Sequence, residues 1–89
     1  IDLAQAVAQI EAHLAQNPGD GRGWEVIAPV YMRSGRYDDA AKAYEAAIRA
    51  SGPSPDRLAN LGEALVNAKA GVVSADARAT FEEALKLDS

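Results

Sequence analysis

A chain of 89 residues, 48% hydrophobic and 25% charged, has the composition of one small globular domain with a thin core, not of a disordered segment. Its formal charge of −4 comes from interspersed acids and bases, which argues against the basic face that nucleic acid or an anionic membrane needs and favours basic or neutral partners. No cysteine and a single histidine exclude disulfides and thiolate metal sites, and leave any histidine-based catalytic set to be built around His13 alone.

The first predicted helix runs from Asp2 to about Gln16, with Leu3, Val7, Ile10 and Leu14 on one apolar stripe, and stops at Asn17-Pro18-Gly19. The run Gly19-Asp20-Gly21-Arg22-Gly23 has no strand before it, so it is not a phosphate-binding loop. It reads as a flexible turn, the alternative being a fortuitous anion site at a helix start. A second helix is predicted from about Arg22 to Arg33, ended by Ser34-Gly35. The third spans about Tyr37 to Ala50, with Asp38 and Asp39 in its first turn and Arg49 near its end, both favourable to the helix dipole. Ser51-Gly52-Pro53-Ser54-Pro55 breaks it, and a fourth helix runs from near Asp56 to about Ala70 and Gly71. Ser74 caps the fifth, which continues to about Leu87 with Asp76 in its first turn. No apolar run reaches the length of a membrane span. The chain opens at Ile1, with no charged-then-apolar leader, and reads as a piece of something longer.

Two of these hairpins repeat each other. Trp24, Ile27, Ala28 and Tyr31 recur 34 residues later as Leu58, Leu61, Gly62 and Leu65, and lead to Ala40 and Tyr44 in one case and Ala77 and Phe81 in the other. The latter pairs are 37 apart, so the turn between helices four and five is three residues longer and carries Val72-Val73. This pattern, W-x-x-L-G-x-x-Y followed by A-x-x-x-F, resembles the tetratricopeptide repeat family. The resemblance implies an all-α fold of five helices, in which helix-turn-helix repeats stack into a short right-handed α-solenoid. Residues 1–18 then form a leading helix or half-repeat, 21–54 one repeat, and 55–89 a second with the lengthened internal turn. Ala6 and Ile10 precede Ala40 and Tyr44 by 34, which fits the half-repeat, whereas His13 stands where Ala47 and Ala84 supply a small residue.

Small residues at Ala28, Ala40, Ala47, Gly62, Ala77 and Ala84 let helix axes approach so that Trp24, Tyr31, Tyr37, Tyr44 and Phe81 interlock as the bulk of the core. A buried Trp24 is expected to cost about 3–5 kcal/mol on truncation to alanine.

Catalysis finds little support. Asp38-Asp39 and Glu82-Glu83 are adjacent on helices, diverge by about 100° and read as solvated faces. His13 reads as a structural or surface residue, and no catalytic residue, metal site or cofactor is expected. In the resembled family the first helix of each repeat lines a concave surface. Carried over, the partner-binding groove comprises Arg22, Glu25, Pro29, Met32 and Arg33 in one repeat, and Asp56, Ala59, Asn60, Glu63, Val66 and Asn67 in the next. Pro29 cannot donate to the Glu25 carbonyl and is expected to kink its helix at a cost on the order of 3 kcal/mol. That is either a tolerated kink or a shaped groove floor with an exposed acceptor. The family's chaperone-docking members grip a peptide carboxylate with Lys and Asn. Glu25 and Pro29 hold two of those positions here.

The run from Gly21 to Tyr31 containing Trp-Glu-Val-Ile-Ala-Pro-Val-Tyr, then Gly35-Arg36-Tyr37-Asp38-Asp39-Ala40, is similar to one branch of that family. So are Leu58-Ala59-Asn60-Leu61-Gly62-Glu63-Ala64-Leu65, the Gly71-Val72-Val73-Ser74 turn and Ala79-Thr80-Phe81-Glu82. The branch is the periplasmic domain of the CcmI/CycH-type c-type cytochrome biogenesis factors. This resemblance implies a non-catalytic periplasmic chaperone, held to the inner membrane by an anchor absent from this chain. Its partners would be the C-terminal helix of an apocytochrome c, docked helix-in-groove, and the haem-ligation machinery that receives it. The open face of helix five is then covered by a later repeat or by a second copy in a homo-oligomer. The alternative is a general tetratricopeptide adaptor assembling an unrelated complex, and a small enzyme built on His13 is a third reading.

Overall fold

The computed structural model describes residues 2–88, among which there are five helices and no strand: α1 (Leu3–Gln16), α2 (Gly21–Arg33), α3 (Tyr37–Ser51), α4 (Pro55–Ala68) and α5 (Ala75–Asp88). The helix ends have local causes. Asp2 and Gln5 cap α1 reciprocally: the Asp2 carboxylate accepts from the Gln5 amide at 2.8 Å, and the Gln5 side chain accepts from the Asp2 amide at 3.2 Å. Ser54 Oγ accepts from the Arg57 amide at 3.1 Å, with Pro55 opening α4, and Ser74 Oγ accepts from the Ala77 amide at 3.2 Å to open α5. Gly35 takes a left-handed φ of 76°, and the Arg36 amide returns to the Tyr31 carbonyl at 2.9 Å to close α2. Helix α4 ends two residues before the predicted Ala70 because Ala70 and Gly71 both turn left-handed, at φ 54° and 86°.

The glycine-rich stretch departs from its predicted form. Gly21, Arg22 and Gly23 are the first turn of α2, not a flexible turn. Asp20 caps that turn by accepting from the Gly23 amide at 3.2 Å, so this backbone donor is already engaged by the chain's own carboxylate rather than by an outside anion. The glycines permit close approach. A Cβ on Gly21 would lie 2.2 Å from Ser51 Oγ, and one on Gly23 would lie 2.7 Å from Leu14 Cδ2. Helix α2 then continues through Pro29 to Arg33.

Each helix packs on its neighbour in the chain, most extensively from α2 to α5, with α1 touching α2 more lightly. The product is a helical repeat solenoid forming a flat slab of 40 × 27 × 15 Å. Its main core joins Ile27, Ala28 and Tyr31 of α2 to Ala40, Ala43 and Tyr44 of α3 and Leu61 and Ala64 of α4, with Val7 and Leu14 closing it from α1. Thinness limits what can be enclosed. Of the aromatic residues expected to carry the core, Tyr31 and Tyr44 are buried, while Trp24, Tyr37 and Phe81 are only half-buried. The leading helix is fastened by polar contacts as well. The Tyr31 hydroxyl donates to Glu11 Oε2 at 2.5 Å, and Arg36 stacks 4.5 Å above the Tyr31 ring while reaching Glu11 at 3.5 Å. His13, where a small residue was expected, points outward and bonds through Nε2 to Asp20 Oδ2 at 2.9 Å. That bond is the main reason the Asp20 carboxyl is held below the usual carboxylate range.

Candidate functional site

Helical spacing puts Glu25 and Pro29 on one face of α2, and Asp56 and Asn60 on one face of α4. Folding brings these two faces to opposite sides of an open cleft of about 350 Å³, with Ser54 and Arg57 on its rim and Tyr44 of α3 beneath. Because Pro29 has no amide proton, the Glu25 carbonyl lacks its ordinary helix hydrogen bond beside this cleft. The charge on Arg57 is engaged internally. Its Nε donates to Glu25 Oε1 at 2.5 Å and its Nη1 to the Gly52 carbonyl at 3.1 Å. Tyr44 has its phenol pushed up by burial first and then by the negative charge of Glu63.

Glu25, Pro29, Asp56 and Asn60 of the predicted groove therefore converge in one lining. The others are placed elsewhere. Arg22 and Arg33 are exposed at the two ends of α2, and Met32 packs against the core. Glu63 is exposed one turn beyond Asn60, and Asn67 is partly buried, donating to the Glu63 carbonyl at 2.9 Å. Ala59 faces a second, more apolar cleft of about 330 Å³ with Pro55, Phe81, Ala84 and Leu85.

Arg57 and Tyr44 were not among the predicted site residues. Arg57 is offset by one position from the groove stripe, and its engagement with Glu25 bridges 32 residues, which no local pattern encodes. Tyr44 did carry a signal. It stands where the second repeat has Phe81, so its hydroxyl is an addition that packing does not require. Among the described residues, no group of three or more His, Cys, Asp or Glu side chains could hold a metal ion, and no helix is long and apolar enough to cross a membrane.

Paired helices stacked in register with a cleft between the first helices of successive pairs define a helical-repeat binding scaffold. Residues 25–89 match the family model for the tetratricopeptide repeat, and the chain belongs to that family. Within it, the chain is similar to the cytochrome c-type biogenesis protein CycH of Bradyrhizobium diazoefficiens, at 51% identity over 87 residues, covering 98% of this chain and 24% of that protein. It is similar also to CycH of Rhizobium meliloti, at 49% over 87 residues (98% of this chain, 23% of the relative). With CycH of Pseudomonas aeruginosa it shares 31% identity over 86 residues, covering 97% of this chain and 21% of the relative. The chain spans about a quarter of the length of these curated relatives. No solved structure matches it.

Proposed function

We propose that this chain is a non-catalytic, peptide-holding domain of a cytochrome c-type biogenesis factor. It docks the C-terminal helix of an apocytochrome c against the α2/α4 face and presents it to the haem-ligation machinery. The observation that carries this reading is the similarity to CycH proteins across nearly the whole chain. The cleft agrees with it, since a preformed groove between parallel-running elements receives an amphipathic helix without reordering its own backbone. The groove is proposed to extend beyond Glu25, Pro29, Asp56 and Asn60 to Glu63 and Asn67 at one end and to Arg22, Met32 and Arg33 along α2. The domain partition follows the same reading: α1 is the second helix of an earlier repeat, α2 and α3 one repeat, α4 and α5 the next. We place the domain in the periplasm, attached to the inner membrane by a segment outside this chain. The apolar cleft beside Phe81 and Leu85, the latter 69% exposed, is the stacking face for a further repeat or a second copy.

Titration calorimetry with a peptide from the C-terminal helix of an apocytochrome c, against a scrambled peptide of equal charge, tests the assignment. Selective binding that weakens on changing Asn60 supports it. Equal or absent binding by folded protein, together with co-purification of an unrelated assembly protein, would instead favour the general adaptor.

A further inference from the structure

The α2/α4 cleft is rich in acceptors and its one cation is already engaged. Asp56, Asn60 and Glu63 follow one another at i, i+4 and i+7, so they form a single stripe along α4. Neither carboxylate of that stripe has an ion pair among the described residues, while Arg57 is committed to Glu25 and the Gly52 carbonyl. Beneath the stripe lies Tyr44, 8% exposed, lining the cleft with a hydroxyl that has no hydrogen-bond partner among the described residues. The ring is buried but the hydroxyl oxygen keeps access to solvent at the cleft, so it is open to a docked donor.

We propose that this cleft is a socket for a basic side chain, a lysine or arginine carried on the docking face of a partner helix. Resting on the docking role proposed above, this names the chemistry that the groove reads. The methylene stem of such a side chain lies along the Pro29 and Tyr44 rings, and its charged head donates to Asp56, Glu63 and the Tyr44 oxygen. A carboxylate-bearing ligand meets the opposite situation: an unpaired Asp56 and no unengaged cation in the lining, with Glu63 exposed one turn further along α4, a like-charge juxtaposition that rejects it. The socket thus has the reverse polarity to the carboxylate grip of the family's chaperone-docking members.

The test uses two designed amphipathic helices, identical except for a lysine or a norleucine at the centre of the apolar face, alongside the apocytochrome peptide. Binding to the chain is followed by titration calorimetry at low and raised salt. The lysine helix is expected to bind about tenfold more tightly, with the difference shrinking in salt. The difference should vanish in the Asp56→Asn, Glu63→Gln double variant and diminish in Tyr44→Phe, each checked for helicity by circular dichroism. Equal binding of the two helices, no binding of either, or a preference that survives the double variant overturns the socket. If the lysine preference holds while the apocytochrome peptide fails to bind, the socket stands and the assigned partner is wrong. If that peptide binds while the two helices do not differ, the docking role stands without the socket.

Discussion

Arg57 of α4 and Glu25 of α2 meet across the cleft with Nε 2.5 Å from Oε1, and the same guanidinium donates to the Gly52 carbonyl at 3.1 Å. One side chain thereby ties together α2, α4 and the turn that joins α3 to α4. Both partners are partly exposed, so the pair is expected to contribute about 1 kcal/mol, with geometry mattering more than charge. Arg57→Lys keeps the charge and loses the fork, and should lower stability by about that amount in urea denaturation. An unchanged midpoint would mean that the contact contributes nothing.

Gly62 is shaped to the Phe81 ring: a Cβ there would lie 2.6 Å from Cε1 and 2.7 Å from Cζ. Alanine at this site gains about 1 kcal/mol of helix propensity but forces the ring out of its seat, which costs about 1–3 kcal/mol. Gly62→Ala is therefore expected to be destabilising by about 1 kcal/mol. In the double variant with Phe81→Leu, the penalty of the alanine should disappear; simple additivity would show that the ring is not what it meets.

Trp24 is half-buried, resting beside Pro18, Ala46 and Ala50 with its Nε1 donating to the Pro18 carbonyl at 2.9 Å. Truncation to alanine is accordingly expected to cost about 2 kcal/mol, less than the figure for a fully enclosed indole. Trp24→Phe retains most of the contact and should lose about half as much. Thermal melts of the two variants, compared with the parent, measure both losses.

Tyr31 has its phenol pushed up to about 12, by burial first and then by its hydrogen bond to Glu11. The unfolded phenol ionises near pH 10, so the neutral native form contributes stability that is fully present below pH ~10. As pH rises through the folded value, that contribution, about 3 kcal/mol at most, is lost. Tyr31→Phe should accordingly lose less stability than the parent between pH ~10 and ~12, as followed by denaturation at each pH. Parallel losses in the two proteins would show that Tyr31 is not the titrating group.

Local chemistry made much of this fold legible. The Ser74 cap, the left-handed Gly35 and the break over Ser51 to Pro55 each act within a turn or so of their own residues, and they place helix ends to within a residue or two. Where local rules failed, the contact came from afar. Glycines around Asp20 suggest flexibility when only their own φ freedom is considered, yet Gly21 lies where α2 closely approaches the end of α3, a Cβ there falling 2.2 Å from Ser51 Oγ and 3.2 Å from Ala50 Cβ. His13 broke the small-residue pattern because its partner is Asp20, on the cap of the next helix.

The sequence by itself determined the helical repeat, its 34-residue register and the lengthened turn before Ser74, because periodicity and turn residues act between near neighbours in the chain. The resemblance to the tetratricopeptide family, carried over residue by residue, named Glu25, Pro29, Asp56 and Asn60 among the groove positions, and these four line the cleft. Only the tertiary structure decided that Arg57 is spent on Glu25, that the Tyr44 hydroxyl opens beneath Asp56 and Asn60, and that Trp24 stays half in solvent. Those facts depend on the distance and tilt between helix axes, which are set by the summed packing of side chains across the whole slab and by no single stretch of chain.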